Sequence, residues 1–191
     1  MGAFWAFQRA NCGIIQREES MLTIRPYQES DAQSVGVLIA DTYGKYNLSE
    51  FSGSQRDEML GPFLYARSAE PSHRQAIAEA IHAPTVLVAE MDGRIVGVLR
   101  GGRVDALGRT VLQSLFVSGD CHRRGIGRQL VERFEQEYVA RGVRVFKLLA
   151  TLEAVPFYLE MGYRKSTGVR SIHSFEGRGF MSQPMKKVLK K

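Results

Sequence analysis

The chain has 191 residues, enough for one domain with a sizeable hydrophobic core. Apolar residues make up 44% and charged residues 24%, a globular composition that excludes a low-complexity chain. The net charge of +6 falls largely on a short tail containing Lys186, Lys187, Lys190 and Lys191, and the nearly neutral remainder argues against a nucleic-acid-binding protein.

The N-terminal segment differs from the sequence that follows it. It lacks the basic stretch and the continuous apolar core of a secretory signal. We predict that residues 1–20 are an N-terminal extension, with Met21 as the natural start, and that residues 21–191 form one domain. The alternative is a short helix that packs on the domain through Phe4, Trp5 and Phe7.

The cysteines and the apolar runs restrict the class of protein further. Cys12 and Cys121 are far apart and belong to no CxxC or His/Cys array, so we predict no disulfide framework and no metal site. No stretch approaches the ~20 consecutive apolar residues of a membrane helix. These features predict a cytoplasmic protein that has no membrane partner.

The N-terminal half of the domain predicts a strand, helices and then an antiparallel meander. Alternation from Leu22 predicts a half-buried strand, and Ser30 or Asp31 caps a helix that Gly44 would end. Asp92-Gly93 predicts a hairpin turn between two β-branched strands. The predicted elements are a strand at 22–27, a helix ending at 44, a loop at 45–54, helices near 55–68 and 72–82, and strands at 85–90, 94–100 and 110–117.

A long helix and a buried strand follow the break at Gly119-Asp120. Apolar residues recur at i+4 steps from Ile126 to Tyr138, and Gly142 is suited to end the helix. The apolar run at 143–150 is typical of a strand buried on both faces, and Pro184 places the last strand at an edge or a bulge. The predicted elements are a helix at 125–141, a strand at 143–150, a helix at 154–161 and strands at 163–169 and 180–189.

The order of these elements predicts the fold class. An antiparallel meander leads into one βαβ crossover and then a closing hairpin, so the sheet is mixed. We therefore predict a single α/β (α+β mixed) domain with a central sheet of about seven strands and helices on both faces.

Two glycines lie where the third strand of the meander meets the long helix. Gly125-x-Gly127 is surrounded by Arg123, Arg124 and Arg128. The first turn of a helix presents unpaired N–H groups, glycines let an anion approach the backbone, and arginines add bidentate donors. The pattern predicts a polyphosphate site, although it is neither a Walker sequence nor a dinucleotide fingerprint. The alternative is that Gly125 permits close helix packing and the arginines are solvated.

Two segments of the chain resemble the GNAT superfamily of N-acetyltransferases. The run from Arg123 to Gly127 looks like the family signature (Q/R)-x-x-G-x-(G/A), and the run from Ala154 to Tyr163 looks like the segment A-x-x-F-Y-x-x-x-G-(F/Y). The pair of motifs on either side of one crossover is more specific than either alone. His122 departs from the pattern, because the family has Gln or Arg there.

The resemblance implies where acetyl-coenzyme A (acetyl-CoA) binds. In the family, the strands on either side of the long helix splay apart, and the pantetheine arm lies in the gap. The backbones of Leu115, Phe116 and Val117 would pair with that arm. The loop that would hold the diphosphate comprises His122, Arg123, Arg124, Gly125, Ile126, Gly127 and Arg128.

The implied reaction is the attack of a neutral amine on a thioester. A backbone N–H near Val117 would stabilise the oxyanion. Tyr158 would return a proton to the thiolate, since a phenol has a pKa of about 10 and a thiol one of about 8.5. The alternative for Tyr158 is a half-buried aromatic of a short helix. Cys121 has no paired base in the sequence, so an acyl-enzyme is not predicted.

The general base and the acceptor stay open. Glu153 or Glu90 would relay a proton through water, although each is also a typical solvated carboxylate. Asp41, Tyr43 and Tyr46 lie where members of the family build the acceptor pocket. A small-molecule or peptide amine is expected, and the family resemblance implies a homodimer through the last strands.

Three functions are consistent with the sequence to different degrees. The leading prediction is an N-acetyltransferase that moves an acetyl group from acetyl-CoA to an amine. The alternative is a catalytically silent GNAT-like module that binds acyl-CoA. A nucleic-acid-binding domain, suggested by the pI of about 9.5, is disfavoured because aromatic and basic residues do not interleave.

Overall fold

The computed structural model describes residues 21–174 and 177–190 of the chain. The strands are β1 (Leu22–Pro26), β2 (Thr85–Met91), β3 (Arg94–Val104), β4 (Arg109–Val117), β5 (Val145–Thr151), β6 (Arg164–Lys165), β7 (Arg170–Ser174) and β8 (Gly177–Val188). The α-helices are α1 (Ala32–Tyr46), α2 (Gly53–Leu60), α3 (Pro71–Ile81), α4 (Ile126–Ala140) and α5 (Val155–Glu160). The extension predicted at residues 1–20 lies outside the described residues.

The strands form one mixed sheet with helices on both faces. Their order is β1-β2-β3-β4-β5-β8-β6, and β7 also pairs with β8. On one face α4 packs through Phe134, whose ring lies 6.3 Å from that of Phe146 in β5. On the other face α1 and α3 bury Val35 and Ile77 against β2 and β3. The predicted fold class and βαβ crossover are confirmed, with eight strands instead of about seven.

Two predicted features of single elements are wrong because tertiary packing overrides the local pattern. Helix α1 does not end at Gly44 but continues to Tyr46, since Tyr43 in its last turn is buried 6.1 Å from the ring of Phe116. Strand β5 is not buried on both faces, because α1 packs over β3 and β4 and leaves Leu149 40% exposed.

The prediction that Pro184 lies at an edge or a bulge is also wrong. Strand β8 lies between β5 on one side and β6 and β7 on the other, and Pro184 pairs with Leu149 in a continuous register. The Pro184 carbonyl accepts a hydrogen bond from the Ser166 N–H at 3.0 Å. Both backbone groups of a strand residue point to the same side, so the missing N–H faces the junction of β6 and β7 and costs no hydrogen bond to β5.

Candidate functional site

A cleft opens between β4 and β5 because the two strands pair at one end and then diverge. Residues 109–111 pair in parallel with residues 145–147, and beyond them the two described strands form no ladder with each other. On its other side, β4 carries an extra residue, Gln113, where its register with β3 shifts from Ser114 to Leu112. Such a β-bulge bends its strand. The resulting cleft has a volume of about 370 Å³.

Leu115 and Val117 direct their backbone groups to the side of β4 that faces away from β3. The Ser118 N–H donates to the Val96 carbonyl of β3 at 2.9 Å. Backbone directions alternate along a strand, so the N–H and C=O groups of Leu115 and Val117 point away from β3. Phe116 lies between them, with its backbone toward β3 and its side chain in the core beneath α1. Of the three predicted strand residues, Leu115 and Phe116 line the cleft, while Leu115 and Val117 turn their backbone groups away from β3.

The chain passes from β4 into α4 through a loop with two left-handed residues, Arg123 (φ 62°) and Gly125 (φ 79°). The first hydrogen bond of α4 runs from the Gln129 N–H to the Gly125 carbonyl at 3.0 Å. The N–H groups of residues 126–128 precede it, in the turn where a helix has no acceptor of its own. A Cβ on Gly125 would meet no atom within 4 Å, so the space over this turn is open.

The predicted arginines surround this helix start at the surface. Arg123 and Arg124 are exposed. Arg128 is about half exposed, and its carboxylate neighbours, Glu132 and Glu160, are each 3.9 Å away. Exposed ion pairs of this length contribute little to stability, so all three guanidinium groups remain accessible to an anion. The side chain of Ile126 is instead buried in the core, and this residue offers its backbone alone.

Asp120 accepts two hydrogen bonds that hold the loop in place. Ser118 Oγ donates to it at 2.5 Å and Arg94 Nη2 at 2.6 Å, and these bonds hold the pKa of Asp120 well below its usual range. The neighbouring Cys121 is buried, and burial raises the pKa of its thiol. A raised pKa disfavours the nucleophilic thiolate, so the geometry gives no support to an acyl-enzyme on Cys121.

His122, the residue that departs from the signature, ties the loop to the end of β4. Its Nε2 lies 2.9 Å from the Val117 carbonyl oxygen, and this nitrogen must donate because a carbonyl can only accept. The imidazole also packs against the ring of Tyr46, at 5.2 Å between centroids. The Tyr46 hydroxyl in turn lies so close to Gly119 that a Cβ there would clash with it. His122 thus joins α1, the loop and the strand that borders the cleft.

We expect His122→Ala to raise the Kd for coenzyme A about fivefold, because a single hydrogen bond contributes about 1 kcal/mol and its loss loosens the cleft edge at Val117. His122→Gln is the matched variant, since its amide can donate to the same carbonyl, and its Kd should stay within about twofold of the wild type. Titration calorimetry with coenzyme A measures both. A Gln variant as weak as the Ala variant would contradict this role.

Tyr158 lies in α5 at the floor of the cleft. Its side chain is 6% exposed, and its ring is held edge-on between Phe157 at 4.9 Å and Tyr163 at 5.6 Å. Burial raises the pKa of the Tyr158 phenol. The hydroxyl makes no hydrogen bond to any residue in the described part of the chain. Tyr158 is therefore a protonated, oriented phenol with its hydrogen-bonding capacity unused.

The carboxylates considered as general bases do not reach this cleft. Glu90 accepts from Arg25 Nε at 2.8 Å and lines a separate groove beside α1. Glu153 is exposed in the turn between β5 and α5. Asp41, considered for the acceptor pocket, is bound by Arg67 at 2.8 Å on the surface. Among the residues of 21–174 and 177–190 that line the cleft there is no Asp or Glu.

The cleft also contains residues that the sequence analysis does not single out. Tyr43 of the predicted acceptor pocket does line it, while Tyr46 packs on His122. Additional polar lining comes from Thr42, Asn47, Arg100, Gln113, Ser114, Thr151 and Ser182. The sequence signal for Arg100 and Gln113 is the pair Gly101-Gly102, since glycines inside a strand mark a bulge or a close backbone approach.

Metal-binding clusters and membrane-spanning helices are both absent from the described residues. In those ranges there is no group of three or more His, Cys, Asp or Glu side chains placed to hold a metal ion. None of the helices that the structure describes is both long enough and apolar enough to cross a membrane.

The sequence matches a family model but no curated protein. Residues 53–189 match the model described as an acetyltransferase (GNAT) domain. No curated protein matches the chain. The family model covers strands β2 to β8, the loop before α4, and every residue that lines the cleft except Thr42, Tyr43 and Asn47.

Solved structures share the fold over most of the chain. A GCN5-related N-acetyltransferase from Rhodopseudomonas palustris has a TM-score of 0.67 at 20% identity, over 89% of this chain and 97% of its own. PaiA N-acetyltransferase from Thermoplasma acidophilum, in complex with coenzyme A, has a TM-score of 0.64 at 13% identity, over 88% and 99%. The ribosomal-protein-S18-alanine N-acetyltransferase from Escherichia coli has a TM-score of 0.59 at 18% identity, over 90% and 96%. At these identities the likeness concerns the fold alone.

Proposed function

The chain belongs to the GNAT acetyltransferase family, and from this premise we propose that it transfers the acetyl group of acetyl-CoA to an amine. One observation supports this above all. The strand edge that presents the backbone of Leu115 and the N–H of Val117 leads through the loop at residues 118–125 to the open helix start at residues 126–128. A strand edge suits the amides of a pantetheine arm, and a helix start suits a diphosphate. An extended ligand that carries both groups fits this path.

The residues around the helix start also fit the coenzyme in shape and charge. The space over Gly125 is open, and three exposed arginines stand beside it. A Cβ on Gly127 would contact Phe157 at 3.5 Å and Leu115 at 3.6 Å, so this position accepts a small residue, as the signature allows. We therefore assign the diphosphate to this loop, including His122, Arg123, Arg124, Gly125, Ile126, Gly127 and Arg128.

Acetyl-CoA supplies a thioester whose carbonyl oxygen gains negative charge when an amine attacks. In this proposal the Val117 N–H, which points away from β3, donates to that oxygen as the C–N bond forms. Tyr158 then gives its proton to the departing thiolate as the C–S bond breaks, and the phenolate regains a proton from water. Because no carboxylate occurs among the described cleft residues, the attacking amine gives its proton to water and not to a side chain.

Thiol release from acetyl-CoA tests the proposal, with a panel of primary amines and of peptides with free N-termini as acceptors. We expect release that depends on an amine and yields the matching N-acetyl product by mass spectrometry. Binding of acetyl-CoA with no amine-dependent release would overturn the transfer reaction. That outcome would leave the alternative, a catalytically silent module that binds acyl-CoA.

A further inference from the structure

The charge of the cleft carries information about the acceptor. Of the described side chains that line it, the charged one is Arg100 of β3. Its polar neighbours there are Asn47 and Ser114, both uncharged. Two like charges brought together in a partly buried site cost several kcal/mol. A cleft with this composition repels polyamines and aminoglycosides and attracts an amine that also bears an anion.

Arg100 is held at a defined place beside the diverging strands. It pairs with Ser114, immediately next to the bulge at Gln113. Its Nη1 donates to the Ala80 carbonyl in the last turn of α3. Burial lowers the pKa of this guanidinium, although an arginine side chain stays charged in proteins. A hydrogen bond between a charged guanidinium and a carboxylate is stronger than one between neutral groups.

We propose, as an extension of the proposed function, that the acceptor is a small amino acid and that Arg100 binds its carboxylate. The reacting amine and the carboxylate then belong to one small molecule. Size supports this choice, since the cleft of about 370 Å³ also has to hold the pantetheine arm. Arg100 fixes the acid group on the α1 side, and the amine faces the strand edge at Leu115 and Val117.

The experiment compares amino acids with their carboxamides on protein saturated with coenzyme A. Alanine, methionine and glutamate are each titrated by calorimetry beside the matching amide, with spermidine as a polycation. We expect the acids to bind about 10- to 100-fold more tightly than the amides, the range for hydrogen bonds to a charged group. The amine of an amino acid amide is less basic than that of the acid, so a larger fraction of the amide carries a neutral amine. This difference favours binding of the amide beside Arg100, and so it cannot produce the expected preference for acids.

Three variants separate carboxylate binding from a structural tie between β3 and α3. Arg100→Gln should remove the preference for acids. Arg100→Lys should keep a weaker preference, because the lysine ammonium keeps the positive charge but lacks the planar guanidinium. Arg103→Gln, an exposed arginine on the same strand, should leave it unchanged. A purely structural Arg100 would change melting temperature or all affinities alike and leave the acid-to-amide ratio intact.

Equal affinity for acids and amides in the wild type would overturn the inference. A preference for acids that survives in a folded Arg100→Gln variant would also overturn it. If Arg100→Gln does not fold, an undiminished preference in Arg100→Lys would overturn it instead. Thiol release separates this from the proposed function. If amides are acetylated as fast as acids, the acetyl transfer stands and the amino acid acceptor fails. If acids bind preferentially but cause no thiol release, carboxylate binding by Arg100 stands and the acetyl transfer fails.

Discussion

Gly125→Asp should raise the Kd for coenzyme A by at least about 100-fold, because it places a negative charge where the diphosphate is proposed to lie. The fold should survive the change. Gly125 has a φ of 79°, and a Cβ added there would have no neighbour within 4 Å. Asp adopts the left-handed region more readily than most residues, and a carboxylate suits the positive end of α4. The melting temperature should therefore stay close to that of the wild type.

Gly125→Asn is the matched control for this charge. Asn has the same shape as Asp and the same tolerance of a positive φ, so the difference in Kd between the two variants measures electrostatic repulsion alone. Gly142→Asp adds the same charge at the other end of α4, at a φ of 88° and with open space around it. Titration calorimetry with coenzyme A compares the variants. Equal Kd values for all of them would refute the diphosphate site.

Tyr158→Phe should lower turnover about 100- to 1,000-fold, the usual contribution of a positioned acid, while the Kd for acetyl-CoA stays unchanged. The substitution removes one oxygen from a ring that Phe157 and Tyr163 hold in place. The hydroxyl has no hydrogen-bond partner in the described residues. Replacing a hydroxyl that has no partner in the protein with a hydrogen costs little stability, so the variant should melt close to the wild-type temperature.

Tyr163→Phe provides the control, since Tyr163 is buried beside Tyr158 but does not line the cleft. Its turnover should remain near that of the wild type. The pH profile gives a second readout. Because burial raises the pKa of Tyr158, the phenol keeps its proton beyond the ordinary value of about 10, and the rate should not fall in the alkaline range through loss of this acid. Full turnover in Tyr158→Phe would remove the residue from the reaction.

The parts of the site that depend on local chain geometry could be predicted from the sequence. A glycine next to a helix start permits a left-handed turn, and the first turn of any helix leaves N–H groups open, so the helix start beside Gly125 could be read from neighbouring residues alone. The run from Ala154 to Tyr163 likewise places Tyr158 on a short helix. In both cases neighbouring residues in the sequence are also neighbours in space.

The acceptor side could not be predicted in this way because it forms from distant segments. Arg100 enters the cleft through a register shift between β3 and β4, and a single sequence does not reveal strand register. Glu90 ends one predicted strand and Glu153 follows another, which made both candidates for the cleft. The first instead pairs with Arg25 across the β1–β2 ladder, and the second is exposed beyond β5.

The central claim is that one ligand lies along the diverging strands and ends at the start of α4. A crystal structure with acetyl-CoA tests it most directly. We predict a pantetheine arm paired with the backbone of Leu115 and Val117, and a diphosphate within hydrogen-bond distance of the N–H groups of residues 126–128. A coenzyme bound instead in the groove between Arg25 and Arg94 beside α1, with the cleft left empty, would contradict the account.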